Sequence, residues 1–206
     1  MRAIDIETIP NPDMVDSLPE PTVAYGNAKD PEKRAAKLAE AKVAQVDKMA
    51  LNPLYGKVCA AGICGDGFSD SFSTTDEPGL IKWIFDHVGE RICTWNGNGF
   101  DLPFLYKRAL LLSVPAPCSL GKWTKRYSYD KHCDLMQIWA QWNYGSNESL
   151  DAVSAVVNGQ HKAEYNYKDF PEMMKTEEGQ AKIAAHALEH AELTLKLYNR
   201  MSGYLI

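Results

Sequence analysis

Asp5 and Glu7 stand two residues apart in the run Arg2-Ala3-Ile4-Asp5-Ile6-Glu7-Thr8. On an extended strand that spacing puts both carboxylates on one face, while Ala3, Ile4 and Ile6 suit a buried sheet. Like charges held this close repel, and a divalent cation with a taste for oxygen, Mg²⁺ or Mn²⁺, relieves the repulsion. Alone, an Asp-x-Glu pair reads as a strand with a wet, acidic face. A third carboxylate, Asp101, ends the run Cys93-Thr94-Trp95-Asn96-Gly97-Asn98-Gly99-Phe100-Asp101, where an apolar strand passes through a glycine-containing loop into a helix. Asp101 there is either a helix N-cap or part of a site at the sheet's edge.

The elements that must carry these groups follow from periodicity and turn chemistry. After the first strand comes a proline-rich stretch, then a helix from about Asp30 to Ala50, capped by Asp30 and opened by Pro31. Residues 57–64 and 69–74 read as strands joined by the Gly65-Asp66-Gly67 turn. A helix over 79–88, a short strand over 91–95 and a helix over 102–112 follow. Next come a turn at His132 to Asp134, helices over 135–142 and 150–157, and a long helix over 177–201. There is no internal repeat. The layout is a single α/β domain over residues 1–206, a mixed sheet covered by helices, with an inserted loop and helix at about 10–52.

Composition narrows the function classes. The 206 residues are 45% hydrophobic with no apolar run long enough for a membrane helix and an acidic rather than signal-like beginning, so a cytoplasmic location without a membrane partner is expected. Cys59, Cys64, Cys93, Cys118 and Cys133 include no C-x-x-C pair and read as reduced packing residues. A net charge of −5 argues against broad binding to duplex nucleic acid. The local exception is residues 121–131, where Lys122, Lys125, Arg126 and Lys131 alternate with Trp123, Tyr127 and Tyr129. That mixture is either a phosphate-and-base contact or a solvated loop with aromatic anchors.

The order Asp5-Ile6-Glu7-Thr8, then Asn96 to Phe100-Asp101, resembles the first two motifs of the proofreading-type 3′-5′ exonucleases, the superfamily named for four acidic residues. His132-Cys133-Asp134-Leu135-Met136 and Ser149-Leu150-Asp151 resemble the later segment of the branch related to the exonuclease domain of family B DNA polymerases. The resemblance implies a ribonuclease H-like fold, a mixed five-stranded sheet flanked by helices, that removes nucleotides from 3′ ends with two Mg²⁺ or Mn²⁺ ions. It implies single-stranded DNA or DNA 3′ ends as partner, with RNA or short oligonucleotides as alternatives, and replication or repair proteins as company. Asp5 would bridge the metals, Glu7 would bind the one that activates water, and Asp101 would support the other. Thr8, Asn96 and Phe100 would help position the terminal nucleotide, with Lys122, Lys125 and Arg126 on the strand. Asp134 would orient a helix or loop.

The chain departs from the family where a fourth carboxylate belongs. In His186-Ala187-Leu188-Glu189-His190, His190 takes the place of that aspartate and His186 the place of its partner tyrosine. At about 100° per residue, Ile183, His186, His190, Thr194, Leu197 and Met201 share one stripe of the last helix. Glu189 and Glu192 lie off that stripe and suit pairing with lysines. Either His190 is a metal ligand that shifts preference toward Mn²⁺ and other transition ions, or both histidines are neutral packing groups. His186 is a candidate general base. With a weak or absent metal, the chain would be a catalytically impaired nucleic-acid-binding module of the same fold.

Overall fold

The computed structural model describes residues 1–27, 29–117, 120–125, 127 and 129–204. Strands β1 (Arg2–Pro10), β2 (Gly56–Gly65), β3 (Phe68–Ser73), β4 (Ile92–Thr94) and β5 (His132–Asp134) form one mixed sheet in the order β3-β2-β1-β4-β5. β1 runs antiparallel to β2 and parallel to β4, and β4 runs parallel to β5. The helices are α1 (Pro31–Asp47), α2 (Glu77–His87), α3 (Asp101–Leu111), α4 (Leu120–Trp123), α5 (Leu135–Trp139), α6 (Leu150–Asn158), α7 (Phe170–Met173) and α8 (Glu177–Met201). Among the described residues, no helix is long and apolar enough to cross a membrane.

The strand period sorts β1 onto two cores. Ile4 and Ile6 pack with α2 and α3 residues such as Leu80, Ile84, Leu102 and Leu105. On the other face Ala3 joins Leu193 and Leu197 of α8, and Ile9 joins Ile183 of α8 with Phe170 of α7. Asp5 and Glu7 lie between Ala3 and Ile9 on that second face, so α8 is the element laid over them. The register slips between Glu7 and Thr8, leaving Cys59 as the extra residue of a bulge in β2, with its thiol against the Glu7 carbonyl at 3.4 Å. A bulge beside a site re-aims the side chains that follow.

Gly62, paired across β2 with Asp5, sets how closely α8 approaches. A Cβ at position 62 would stand 2.3 Å from the Leu188 nitrogen and 2.4 Å from the Ala187 carbonyl carbon, both backbone atoms of α8. Only glycine admits the helix at that height.

Most expected elements hold, with four differences. His132 to Asp134 is a buried edge strand rather than a turn, paired with Ile92 to Thr94, because three residues are too few to show a period. α5 stops at Trp139 rather than 142, since Gln141 and Trp142 adopt left-handed φ of 49° and 60°. The basic-aromatic segment contains a short helix, α4, and a further helix, α7, precedes α8. The Asp66-Gly67 turn is as expected, both residues having positive φ. Cys59, Cys64, Cys93 and Cys133 are buried free thiols, raised in pKa by burial, and Cys118 lies outside the described residues.

Two buried polar arrangements tie the layers together. Glu77 receives Arg108 Nε at 2.8 Å and Nη2 at 2.6 Å, and its Oε1 also accepts the Val58 N–H at 2.9 Å. Arg108 Nη1 reaches the Pro53 carbonyl at 3.0 Å, so α2, α3 and β2 meet at one ion pair. Glu77→Ala strands the guanidinium in the interior and is expected to cost about 3–5 kcal/mol in urea unfolding.

His132 is the second arrangement. Its Nδ1 faces the Trp123 carbonyl at 2.8 Å, which can only accept, so Nδ1 carries the proton and Nε2 accepts from the Thr94 hydroxyl at 2.8 Å. That hydroxyl oxygen accepts in turn from the Gly97 N–H at 3.0 Å. Burial pushes the His132 pKa down to about 4, against about 6.5 when unfolded. The unfolded chain therefore binds the extra proton first as pH falls, and stability present above pH ~6.5 is lost down to pH ~4, by up to about 3 kcal/mol. His132→Gln is expected to flatten that part of the stability-versus-pH curve in chemical unfolding.

Candidate active site

The face of β1 beneath α8 brings the acidic groups and the histidines together. β1 presents Asp5 and Glu7, the start of α3 presents Asp101, and α8 presents His186 and His190, one turn apart on its buried stripe. Glu7, Asp101, His186 and His190 are buried, while the Asp5 side chain keeps 20% of its exposure. His190 Nδ1 lies 3.4 Å from Asp5 Oδ2 and 3.8 Å from Glu7 Oε1, and His186 Nε2 lies 3.5 Å from Glu7 Oε1. Asp101 Oδ1 accepts the Ile6 N–H at 3.3 Å, which fixes the third carboxylate against the strand carrying the other two.

The electrostatics are those of a site short of positive charge. Burial, then the charge of Asp5, holds the Asp101 carboxyl well above the usual carboxylate range. Burial, then Asp5 and Asp101, does the same to Glu7. Burial, helped by His190 and Lys162, depresses His186 to about 3, so its ring is neutral at physiological pH. Glu7 Oε1, both ring nitrogens of His186 and Nε2 of His190 are buried without a hydrogen-bond partner among the described residues. Such groups normally find partners. A cation would offset the crowded carboxylates and give Glu7 Oε1 and the imidazole nitrogen facing it a partner, so the donor set fits a divalent metal.

The loop leading to Asp101 is held from β5. Asp134 caps α5 through the Gln137 N–H at 3.3 Å and accepts the Asn96 and Asn98 N–H groups at 3.1 and 2.9 Å. It is occupied with the loop, while Asn96 sits there at a left-handed φ of 69°. Phe100 follows and packs on Phe104 at 5.5 Å between ring centroids.

A cleft of about 990 Å³ opens over the carboxylates, and Asp5, Glu7, Thr8, Asn96, Phe100, Asp101 and His190 all line it. Its apolar wall includes Trp95, Leu51 and Tyr167, and its cations are Lys57, Lys168 and Lys175. The Thr8 hydroxyl is turned to the Ala50 carbonyl at 2.7 Å. Lys122 and Lys125 are exposed and do not line this cleft. Between them Trp123 is buried with its Nε1 on the Glu90 carbonyl, which anchors the segment at the amino end of β4, away from Asp101 at the other end. Arg126 lies outside the described residues. Glu189 also departs from expectation: its Oε1 accepts the Ala163 N–H at 3.2 Å and its Oε2 lies 3.9 Å from His186 Nδ1, rather than meeting a lysine.

Residues 70–203 match the family described as "predicted 3′-5′ exonuclease related to the exonuclease domain of PolB". The chain belongs to this family. The match takes in Asp101, Asp134, His186 and His190, while Asp5 and Glu7 lie ahead of it. It is also similar to archaeal DNA polymerases. It is 26% identical over 131 residues to DNA polymerase 1 of Pyrococcus abyssi, covering 57% of this chain and 17% of that protein. It is 28% identical over 141 residues to a DNA polymerase of Thermococcus litoralis, covering 60% of this chain and 8% of that protein. The family B DNA polymerase of Pyrobaculum calidifontis has a similar fold, with a TM-score of 0.61 at 18% identity over 99% of this chain and 24% of that one. The ribonuclease H-like fold expected from the resemblance therefore holds, and the chain spans at most 24% of the length of these polymerases.

Proposed function

We propose that this PolB-related chain is a metal-dependent 3′-5′ exonuclease that hydrolyses phosphodiester bonds at the 3′ ends of single-stranded DNA. The observation that carries the reading is the convergence of Asp5, Glu7 and Asp101, two of them buried, at the floor of an aromatic cleft. Asp5, Glu7, Asp101 and His190 would hold two ions, Mg²⁺ or Mn²⁺. Bound there, the ions neutralise the charge that builds on the attacking and leaving oxygens and lower the pKa of water.

The chain's own residues supply binding and orientation. Phe100, Trp95 and Tyr167 offer aromatic faces to the terminal bases, a contact that tolerates any sequence. The Asn96 side chain offers hydrogen bonds to the last nucleotide, and Thr8, its hydroxyl turned inward, offers its methyl group and backbone. Lys57 and Lys175 suit the phosphates; Lys168, 2.5 Å from Asp47, ties the two walls of the cleft and can exchange that pairing for a phosphate. Lys122 and Lys125 take no part in this reading. DNA as substrate is carried over from the polymerase relatives.

Single-stranded DNA and RNA of one sequence, incubated with Mg²⁺ or Mn²⁺, test the reading. Shortening of the DNA, lost in Asp5→Ala, is expected. Binding without cleavage under either metal would identify a catalytically impaired binding module, and shortening of RNA alone would overturn the substrate.

A further inference from the structure

Glu7 Oε1 is the point on which both imidazoles of α8 converge, 3.5 Å from His186 Nε2 and 3.8 Å from His190 Nδ1. Neither distance makes a good hydrogen bond, and the oxygen has no other partner among the described residues. They are close to the separation of two ligands on one ion, about 3.4 Å for bonds of about 2.1 Å in tetrahedral geometry. One ligand atom from each of Glu7, His186 and His190 lies within 4.8 Å of the others, and all three residues are buried.

The surroundings of His186 point the same way. Its second ring nitrogen, Nδ1, faces Glu189 Oε2 at 3.9 Å, and Glu189 is steadied by the Ala163 N–H. A metal-bound histidine commonly directs its other N–H at such a carboxylate. Tyr165 lies over the ring at 4.4 Å and Phe170 meets it edge-on at 6.1 Å, so water has little access to either nitrogen. We propose that Glu7, His186 and His190 form a two-histidine, one-carboxylate site for a transition ion such as Mn²⁺, Co²⁺ or Zn²⁺, and that Mg²⁺ is a poor occupant of it. Mg²⁺ demands oxygen ligands and near-octahedral geometry, whereas two imidazoles favour borderline ions. His186 is then a ligand and not the residue that orients water. This assignment rests on the exonuclease reading only through the shared use of Glu7 and His190.

The test needs no nucleic acid. The metal-stripped chain of residues 1–206 is titrated with Co²⁺ and followed by visible absorption, with Zn²⁺ and Mg²⁺ as competitors. One equivalent of Co²⁺ is expected to develop the spectrum, Zn²⁺ to displace it, and Mg²⁺ at about 100-fold excess to leave it unchanged. His186→Gln and His190→Gln are each expected to weaken Co²⁺ binding by at least about 100-fold, and Glu189→Gln by about 10-fold. Imidazole ¹⁵N resonances of the unsubstituted chain, recorded with one equivalent of Zn²⁺, cover the case of a variant that does not fold. Shifts at both His186 and His190 support the site. A shift at His190 alone, undiminished Co²⁺ binding by folded His186→Gln, or displacement by Mg²⁺ overturns it. Binding as described in a chain without nuclease activity would leave the site standing and remove the exonuclease reading; nuclease activity with Mg²⁺ and no Co²⁺ binding would do the reverse.

Discussion

Asp101→Asn is expected to lower 3′-end hydrolysis by about a thousandfold or more while raising the melting temperature of the metal-free protein. The loss follows from removing an anionic ligand that would hold one of the ions, and with it the positive charge that ion would direct at the reacting phosphodiester, a kind of change that costs about 10²–10³ or more in rate. The gain follows from linkage. Asp101 is buried, and burial together with Asp5 raises its folded pKa above the unfolded value. Its protonated form is the one the fold prefers, so the associated stability is present at pH below the unfolded pKa and is lost as pH rises through the folded one. At neutral pH, above the unfolded value, that preference counts against the fold, because a carboxyl ionised in the unfolded chain must be buried, and asparagine removes the penalty. Asparagine also keeps an oxygen for the Ile6 N–H, so the start of α3 stays in place. Steady-state rates and thermal unfolding of one purified variant should therefore move in opposite directions. A variant with lower stability and unchanged rate would make Asp101 an ordinary helix cap.

Gly62→Ala is expected to be strongly destabilising. The added carbon would meet α8 backbone atoms at 2.3 to 2.4 Å, and backbone has no rotamer by which to yield. Overpacking of a core costs about 1–3 kcal/mol and occasionally more, and here the whole helix must lift, so a loss of about 3 kcal/mol or more is expected. In a chain of this length that corresponds to about 6–12 °C in thermal unfolding. Lifting α8 also carries His186 and His190 away from Asp5 and Glu7, so activity should fall even at temperatures where the variant remains folded. If that folded variant kept full activity, the histidines would have no part in the site.

Much of this was legible in the sequence, and the reasons differ residue by residue. Asp5 and Glu7 could be read because a strand's period of two places both on one face whatever surrounds it. The stripe from Ile183 through His186 and His190 to Leu197 could be read for the equivalent reason in a helix. Asp101 became legible through its setting after Asn96 and before an amphipathic helix. β5 was not legible, since His132-Cys133-Asp134 is too short for any period and becomes a strand only through pairing with β4. The basic-aromatic segment misled because composition says what a loop can touch and not at which end of the sheet it lies. Buried Trp123 holds Lys122 and Lys125 at the amino end of β4. The cleft's own cations, Lys57, Lys168 and Lys175, come from three separated segments and carry no local pattern. Gly62 looked like one more small residue in an apolar strand, and its importance appears only with α8 on top of it. Glu189 likewise read as a surface partner for lysine until Ala163 and His186 were seen on either side of it.

The most direct test of the central claim is polarity of cleavage. A 5′-labelled single-stranded DNA with a free 3′ end is incubated with the chain and Mn²⁺, beside the same strand closed by an inverted 3′ nucleotide. Single-nucleotide shortening from the free end, absent on the closed strand and absent for Asp5→Ala, is the result expected. Internal cuts on both strands alike, or an intact free-ended strand under both Mn²⁺ and Mg²⁺, would contradict it.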